Sequence, residues 1–158
     1  MILNFILLFL QFFIEIDTGK VTRVVDGDTL VVQMEEEVIR VRLIGVDTPE
    51  SVHPKLKLQF FGKEASEYTK QKLLNKTIYL TYDKNKYDYY KRTIAYVWYI
   101  QDAKIFLFNQ QVIFDGYGKY YRKYKFNKYA MIYFSINQKI SQILNKGIWY
   151  DEWKLYKK

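Results

Sequence analysis

Two short segments concentrate oxygen donors: Asp26-Gly27-Asp28-Thr29 and Asp47-Thr48-Pro49-Glu50. Both fall at the ends of β-rich runs, so carboxylates from separate strands can converge. Such a set suits a hard divalent cation, because calcium and magnesium take several oxygen ligands and accept backbone carbonyls and waters beside carboxylates. Either segment alone reads equally as a turn. Asp-Gly is a hairpin dipeptide, and Asp or Thr ahead of proline accepts backbone N–H bonds. Two arginines change that balance: Arg42 stands on the strand leading into Asp47, and Arg92 begins the strand after a polar loop. Planar guanidinium forks match phosphate oxygens, and phosphoryl transfer needs cations where charge builds in the transition state. Metal carboxylates, a spare carboxylate at Glu50 and two arginines are the parts that metal-assisted phosphodiester hydrolysis requires.

Other chemistries are excluded by what is missing. There is no cysteine, so disulfides, thiolate zinc sites and a cysteine nucleophile drop out, and the single His53 rules out multi-histidine metal sites. A serine–histidine triad is a poor fit for the same reason. Any metal must be held mainly by oxygen. The formal charge of +8, from 25 basic and 17 acidic residues, asks for a polyanionic partner such as nucleic acid or an anionic membrane surface. The excess is uneven, with ten basic and two acidic residues from Gly116 to Lys158.

The elements that must position these residues read as one domain of mixed class. A chain of 158 residues that is 49% hydrophobic can close a single core. The first fourteen residues carry no charge before Glu15 and Asp17; they are shorter than the roughly 20 needed to cross a bilayer. Residues 1–16 are therefore expected to be a signal peptide or membrane anchor, and residues 17–158 the folded domain. Strands are predicted at Val21–Val25, Thr29–Gln33, Val38–Ile44, Lys76–Tyr82 and Thr93–Ile100. Helices are predicted at Gly62–Leu74, Phe106–Phe114 closed by Gly116, and Tyr129–Leu144 closed by Gly147. Phe106, Phe108, Ile113, Tyr133, Ile136, Ile140 and Leu144 are expected in the core. Five strands with three helices suit an α+β fold, a small barrel flanked by helices.

The runs VVDGDTL, VRLIGVDTPE, the pair His53-Pro54, FGKEAS, DYYKRTIAYVW and the late GIW resemble the staphylococcal (micrococcal) nuclease family in order and spacing, over residues 19–151. The resemblance implies a five-stranded OB-fold barrel and a calcium-dependent nuclease that hydrolyses DNA and RNA. It implies calcium ligands at Asp28, Asp47 and Thr48, the last through its carbonyl, with Asp26 in support. Glu50 would position or deprotonate the water; Arg42 and Arg92 would bind the scissile phosphate; Tyr90 and Tyr124 would line the nucleotide pocket. The implied reaction is in-line attack by a metal-associated water, with no covalent intermediate, leaving 3′-phosphate ends.

Two positions depart from that pattern. Lys91 stands where the family usually has glycine before the arginine, so a positive φ there would reshape the loop. Arg122 stands where a tyrosine is expected. The stretch GYGKYYRKYKFNKY, residues 116–129, reads either as a stacking and phosphate-tracking surface or as a lysine-rich loop packed on the barrel. The same barrel type also hosts proteins that grip nucleic acid without cutting it, so a non-catalytic binding module at the cell envelope is the alternative reading. A monomer, secreted or held at the envelope, is expected.

Overall fold

The computed structural model describes residues 15–51 and 60–150. His53 and most of the apolar N-terminal run fall outside the described residues. In chain order the elements are β1 (Asp17–Asp26), β2 (Thr29–Gln33), β3 (Val38–Leu43), β4 (Val46–Asp47), α1 (Gly62–Leu73), β5 (Thr77–Thr81), β6 (Thr93–Gln101), β7 (Lys104–Leu107), α2 (Phe108–Phe114), β8 (Lys119–Tyr120) and α3 (Lys128–Ile143).

The long first strand serves two neighbours. It shifts register between Val21 and Arg23 and again between Val24 and Asp26, and an extra residue at such points bends and twists a strand. Its first half pairs with β5 and its second half with β2, both antiparallel. From there β2 pairs antiparallel with β3, and β5 with β6. A parallel pairing of β3 with β6, Val41 opposite Thr93 and Leu43 opposite Ala95, closes the ring β1-β2-β3-β6-β5. The expected five-stranded barrel with three flanking helices is therefore present, with Val21, Leu30, Val32, Val41, Leu80 and Val97 fully buried within it.

Asn109 locks the closure. Fully buried on α2, its Oδ1 accepts the Val97 N–H at 2.8 Å. Its Nδ2 donates to the carbonyls of Ile44 (3.0 Å) and Ala95 (3.1 Å). Replacing it by alanine removes these partners from the Val97 N–H and the Ile44 carbonyl, a loss of about 1–3 kcal/mol for each buried group, while the Ala95 carbonyl keeps the Ile44 N–H at 3.0 Å. Asn109→Ala is expected to lower unfolding stability by about 3 kcal/mol or more, read from denaturant midpoints; an unchanged midpoint would remove Asn109 as the lock.

Two helices differ from the sequence expectation. The second begins at Phe108, because Lys104–Leu107 forms a strand on β6 instead. Asp102 and Ala103 both take positive φ, 50° and 57°, the two-residue turn that matches strand twist. Phe106 is consequently a strand residue, half-buried and stacked on Tyr99 at 5.4 Å between ring centroids. The third helix is capped by Asn127, whose Oδ1 accepts from Tyr129 and Ala130. It ends at Ile143 and is closed by Asn145, with φ 50°, where Gly147 was expected to close it. Phe108 and Ile113 are core as expected; Tyr133, Ile136 and Leu144 are exposed and Ile140 half-buried, while Phe134, Asn137 and Ser141 face inward.

Candidate active site

The Asp26-Gly27-Asp28 turn joins β1 to β2 and is anchored from below. The buried Thr69 hydroxyl on α1 donates to the Gly27 carbonyl at 2.7 Å. Gly27 is required for close approach, since a Cβ there would lie 2.8 Å from Thr48 Oγ1. The fully buried Asp28 accepts the Thr29 hydroxyl at 3.0 Å on Oδ1 and the Thr48 N–H at 2.8 Å on Oδ2. Strand register brings the next part: Thr29 lies opposite Arg42. The Arg42 Nη1 donates to Asp28 Oδ1, and its Nη2 donates to Asp47 Oδ1 at 3.1 Å and to the Val46 carbonyl at 3.2 Å. One guanidinium thus spans two carboxylates from different elements. Asp47 is held from the other side by the pairing of β4 with β8, where it faces Lys119.

Burial pushes the Asp28 carboxyl above the usual carboxylate range, and the Arg42 guanidinium beside it works in the opposite direction. Asp26 is also raised, first by burial and further by the neighbouring Glu50 carboxylate. The Ser51 hydroxyl (2.7 Å) and the Gly27 N–H (2.8 Å) donate to its Oδ1 and oppose the rise. Because the folded pKa lies above the ordinary value of 3.8, the protonated carboxyl favours the fold and the ionised one opposes it, so the favourable contribution is lost as pH rises through the folded pKa. In calcium-free buffer Asp26→Asn is expected to gain stability over wild type at pH 7, by about 1.4 kcal/mol per unit of raised pKa. The gap should close as pH falls below the folded pKa. Urea melts at the two pH values check it, and a gap that does not narrow on acidification overturns this account.

Glu50 joins the cluster through Asp26. Its backbone packs on the start of α1, where a Cβ on Gly62 would come within 2.4 Å of the Glu50 carbonyl oxygen. The donor set is entirely oxygen, and the Thr48 hydroxyl is buried without a hydrogen-bond partner among the described residues. No cluster of three or more histidine, cysteine or acidic side chains of metal-site geometry occurs among the described residues. What fits a hard cation is the sharing of one positive group by Asp28 and Asp47, beside an unused hydroxyl.

Arg92 enters from the neighbouring strand, as β6 runs parallel to β3 with Ile94 opposite Arg42. Its guanidinium is held by Asp88, with Nε and Nη2 each 2.7 Å from Oδ2. The other Asp88 oxygen accepts the N–H groups of Tyr90 and Arg92, both at 2.9 Å. Lys91 takes φ 58°, so the position does adopt the conformation that favours glycine. Tyr90 is 73% exposed, its ring 5.4 Å from the Arg92 guanidinium. Tyr124 is 61% exposed and lies 5.5 Å from the Tyr121 ring. Arg122 covers the Tyr120 ring at 5.6 Å.

The structure therefore gathers Asp28, Arg42, Asp47 and Thr48 in one bonded group with Glu50 alongside. Arg92, Tyr90 and Tyr124 stand on flanking loops. Asp83, two residues after β5, ties the end of the Tyr124 loop to β6: its Oδ2 accepts from the Asn127 N–H at 2.5 Å and the Tyr96 hydroxyl at 3.2 Å. Asp88, Asp83 and Thr69 hold these elements in place without being evident as site residues from sequence. The signal for Asp88 was present as an aspartate two and four residues before Tyr90 and Arg92, the spacing of a side chain that bonds backbone ahead of it.

The model of the family described as "Staphylococcal nuclease homologue" matches residues 40–151, from Arg40 in β3 onward. A thermonuclease of Staphylococcus hyicus is 42% identical over 135 residues, covering 84% of this chain and 75% of the relative. A thermonuclease of Staphylococcus intermedius is 51% identical over 78 residues, 49% of this chain and 46% of its own. An "uncharacterized endonuclease" of Escherichia coli O157:H7 is 27% identical over 133 residues, 84% and 77% of the two chains. Barrel, site and relatives together define a phosphodiester-hydrolysing nuclease. The chain belongs to the staphylococcal nuclease family.

Proposed function

We propose that this nuclease is calcium-dependent, cleaves both DNA and RNA by in-line attack of water on phosphorus, and leaves 3′-phosphate ends. The observation that carries the reading is the Arg42 fork across Asp28 and Asp47. It supports the reading because two carboxylates and a guanidinium, a group suited to phosphate oxygens, meet around one point. Asp28, Asp47 and Thr48 would hold the calcium ion, which when bound polarises phosphoryl oxygens and supplies a positive charge for the scissile group. Arg42 and Arg92 bind that phosphate and meet the charge that grows in the transition state. Glu50 orients the attacking water or takes its proton, and Tyr90 and Tyr124 pack against the nucleotide. Since the recognised group is a phosphate, the 2′-hydroxyl and the base matter little, and both nucleic acids serve. The domain, residues 17–158, acts as a monomer, secreted or held at the envelope.

The test is cleavage of single-stranded DNA and of RNA in calcium and in chelator, with end-group analysis of the products. Calcium-dependent cutting of both substrates to 3′-phosphate ends is expected. Activity that survives chelation, or 5′-phosphate products, would overturn this mechanism while leaving the nuclease class intact.

A further inference from the structure

Helix α3 turns its more apolar side outward. Phe134, Asn137 and Ser141 face inward and are buried. On the outside Tyr129, Ile132, Tyr133, Ile136, Ile143 and Leu144 are between 50% and 78% exposed. At 3.6 residues per turn these six fall within an arc of about 120°. A continuous stripe of large apolar side chains marks a contact surface, where single scattered ones would not.

Charge selects the partner. From Gly116 to Tyr150 the chain has seven basic residues and no acidic one. Two of them, Lys128 and Lys139, are exposed on the helix. They stand eleven positions apart, about three turns, and so flank the stripe along one edge. A second copy of the chain would set one basic face against another. An anionic lipid surface neutralises both lysines and receives the isoleucines below its headgroups, with tyrosine rings at the boundary. We propose that the outer face of α3 is a docking surface for an anionic bilayer, lying in the interface plane. Among the described residues no helix is long and apolar enough to cross a membrane. It is independent of hydrolysis, because none of the six residues belongs to the proposed site.

The test uses the full chain and the triple variant Ile132→Ser, Ile136→Ser, Ile143→Ser. Partitioning is measured on phosphatidylcholine vesicles with and without about one-third phosphatidylglycerol, alongside light scattering of the free proteins. All three positions are exposed, so melting temperature and hydrolysis of short DNA should not change. Residues 1–16 are the same in both proteins, and their contribution cancels. Wild type is expected to prefer the anionic vesicles, and the variant to lose about tenfold of that partitioning, with little change on neutral vesicles. Equal partitioning of the two proteins on anionic vesicles overturns the proposal. So does a wild-type dimer that the variant dissociates with its lipid binding intact, which would assign the stripe to a second copy.

Discussion

Arg42→Ala is expected to lower kcat by at least about 10³-fold and, in calcium-free buffer, to destabilise the fold by about 3–5 kcal/mol. The two effects share one cause. Arg42 is the only group among the described residues shown paired to the buried Asp28 as a cation, and the Asp28 side chain is 1% accessible. Without the guanidinium, the ionised carboxylate loses its countercharge in a site that already raises its pKa by burial. Calcium should restore much of the lost stability, because a ligand that binds only the folded state stabilises it by mass action. It should not restore activity, since the proposed phosphate contact is gone. Adding Asp28→Asn to Arg42→Ala should recover stability without calcium, by removing the buried charge itself. Thermal melts of the single and double variants, with calcium and with chelator, separate these outcomes. An Arg42→Ala protein that melts like wild type in chelator and keeps kcat within tenfold would defeat both halves.

The parts of the site that could be read from sequence are those tied by short chain distance or strand register. Arg42 and Asp47 lie on either side of one turn, and Thr29 faces Arg42 across a hairpin whose turn chemistry is visible at Asp26-Gly27. The barrel was legible for the same reason: its strands are β-branched runs bounded by turn residues. Its closure by β3 and β6 rests on the resemblance, because parallel pairing leaves no local signal. What escaped depended on contacts made at a distance. The turn at Asp102-Ala103 takes left-handed φ with neither glycine nor asparagine to announce it, so the strand after it reads from sequence as the start of a helix. In α3 the apolar periodicity points to Tyr133, Ile136 and Leu144, yet the inward face is set by what meets it. Asn137 is buried because Gln110 donates to its Oδ1 at 2.8 Å and its own Nδ2 donates to the Tyr133 carbonyl at 2.7 Å. A polar residue satisfied in this way is compatible with burial, and periodicity alone gives it no weight.

Arg92→Ala is the second large effect, a fall in kcat of about 10³-fold with a smaller change in KM, because its proposed contact strengthens as charge builds on the phosphate. The loop that carries it makes the prediction more specific. Asp88 holds the guanidinium through one oxygen and the N–H groups of Tyr90 and Arg92 through the other. The Asp88 N–H donates to the Arg92 carbonyl and the Lys91 N–H to the Asp88 carbonyl, both at 3.0 Å. That network keeps Lys91 at φ 58°, a conformation costing a non-glycine residue about 1–2 kcal/mol. The loop is therefore overdetermined, and lysine in place of glycine does not unmake it. Asp88→Asn retains an oxygen for the two N–H groups but turns an NH2 donor toward the guanidinium, so the loop is kept while Arg92 loses its charged acceptor, and kcat should fall by about tenfold or less. Asp88→Ala frees the whole loop, and its loss should lie between those of Asp88→Asn and Arg92→Ala. Lys91→Gly should raise stability by about 1 kcal/mol and leave kcat near wild type. The order of the four kcat values is the measurement. Asp88→Ala matching wild type would mean the loop does not position Arg92, and Arg92→Ala matching wild type would leave Arg42 as the sole arginine acting on the phosphate.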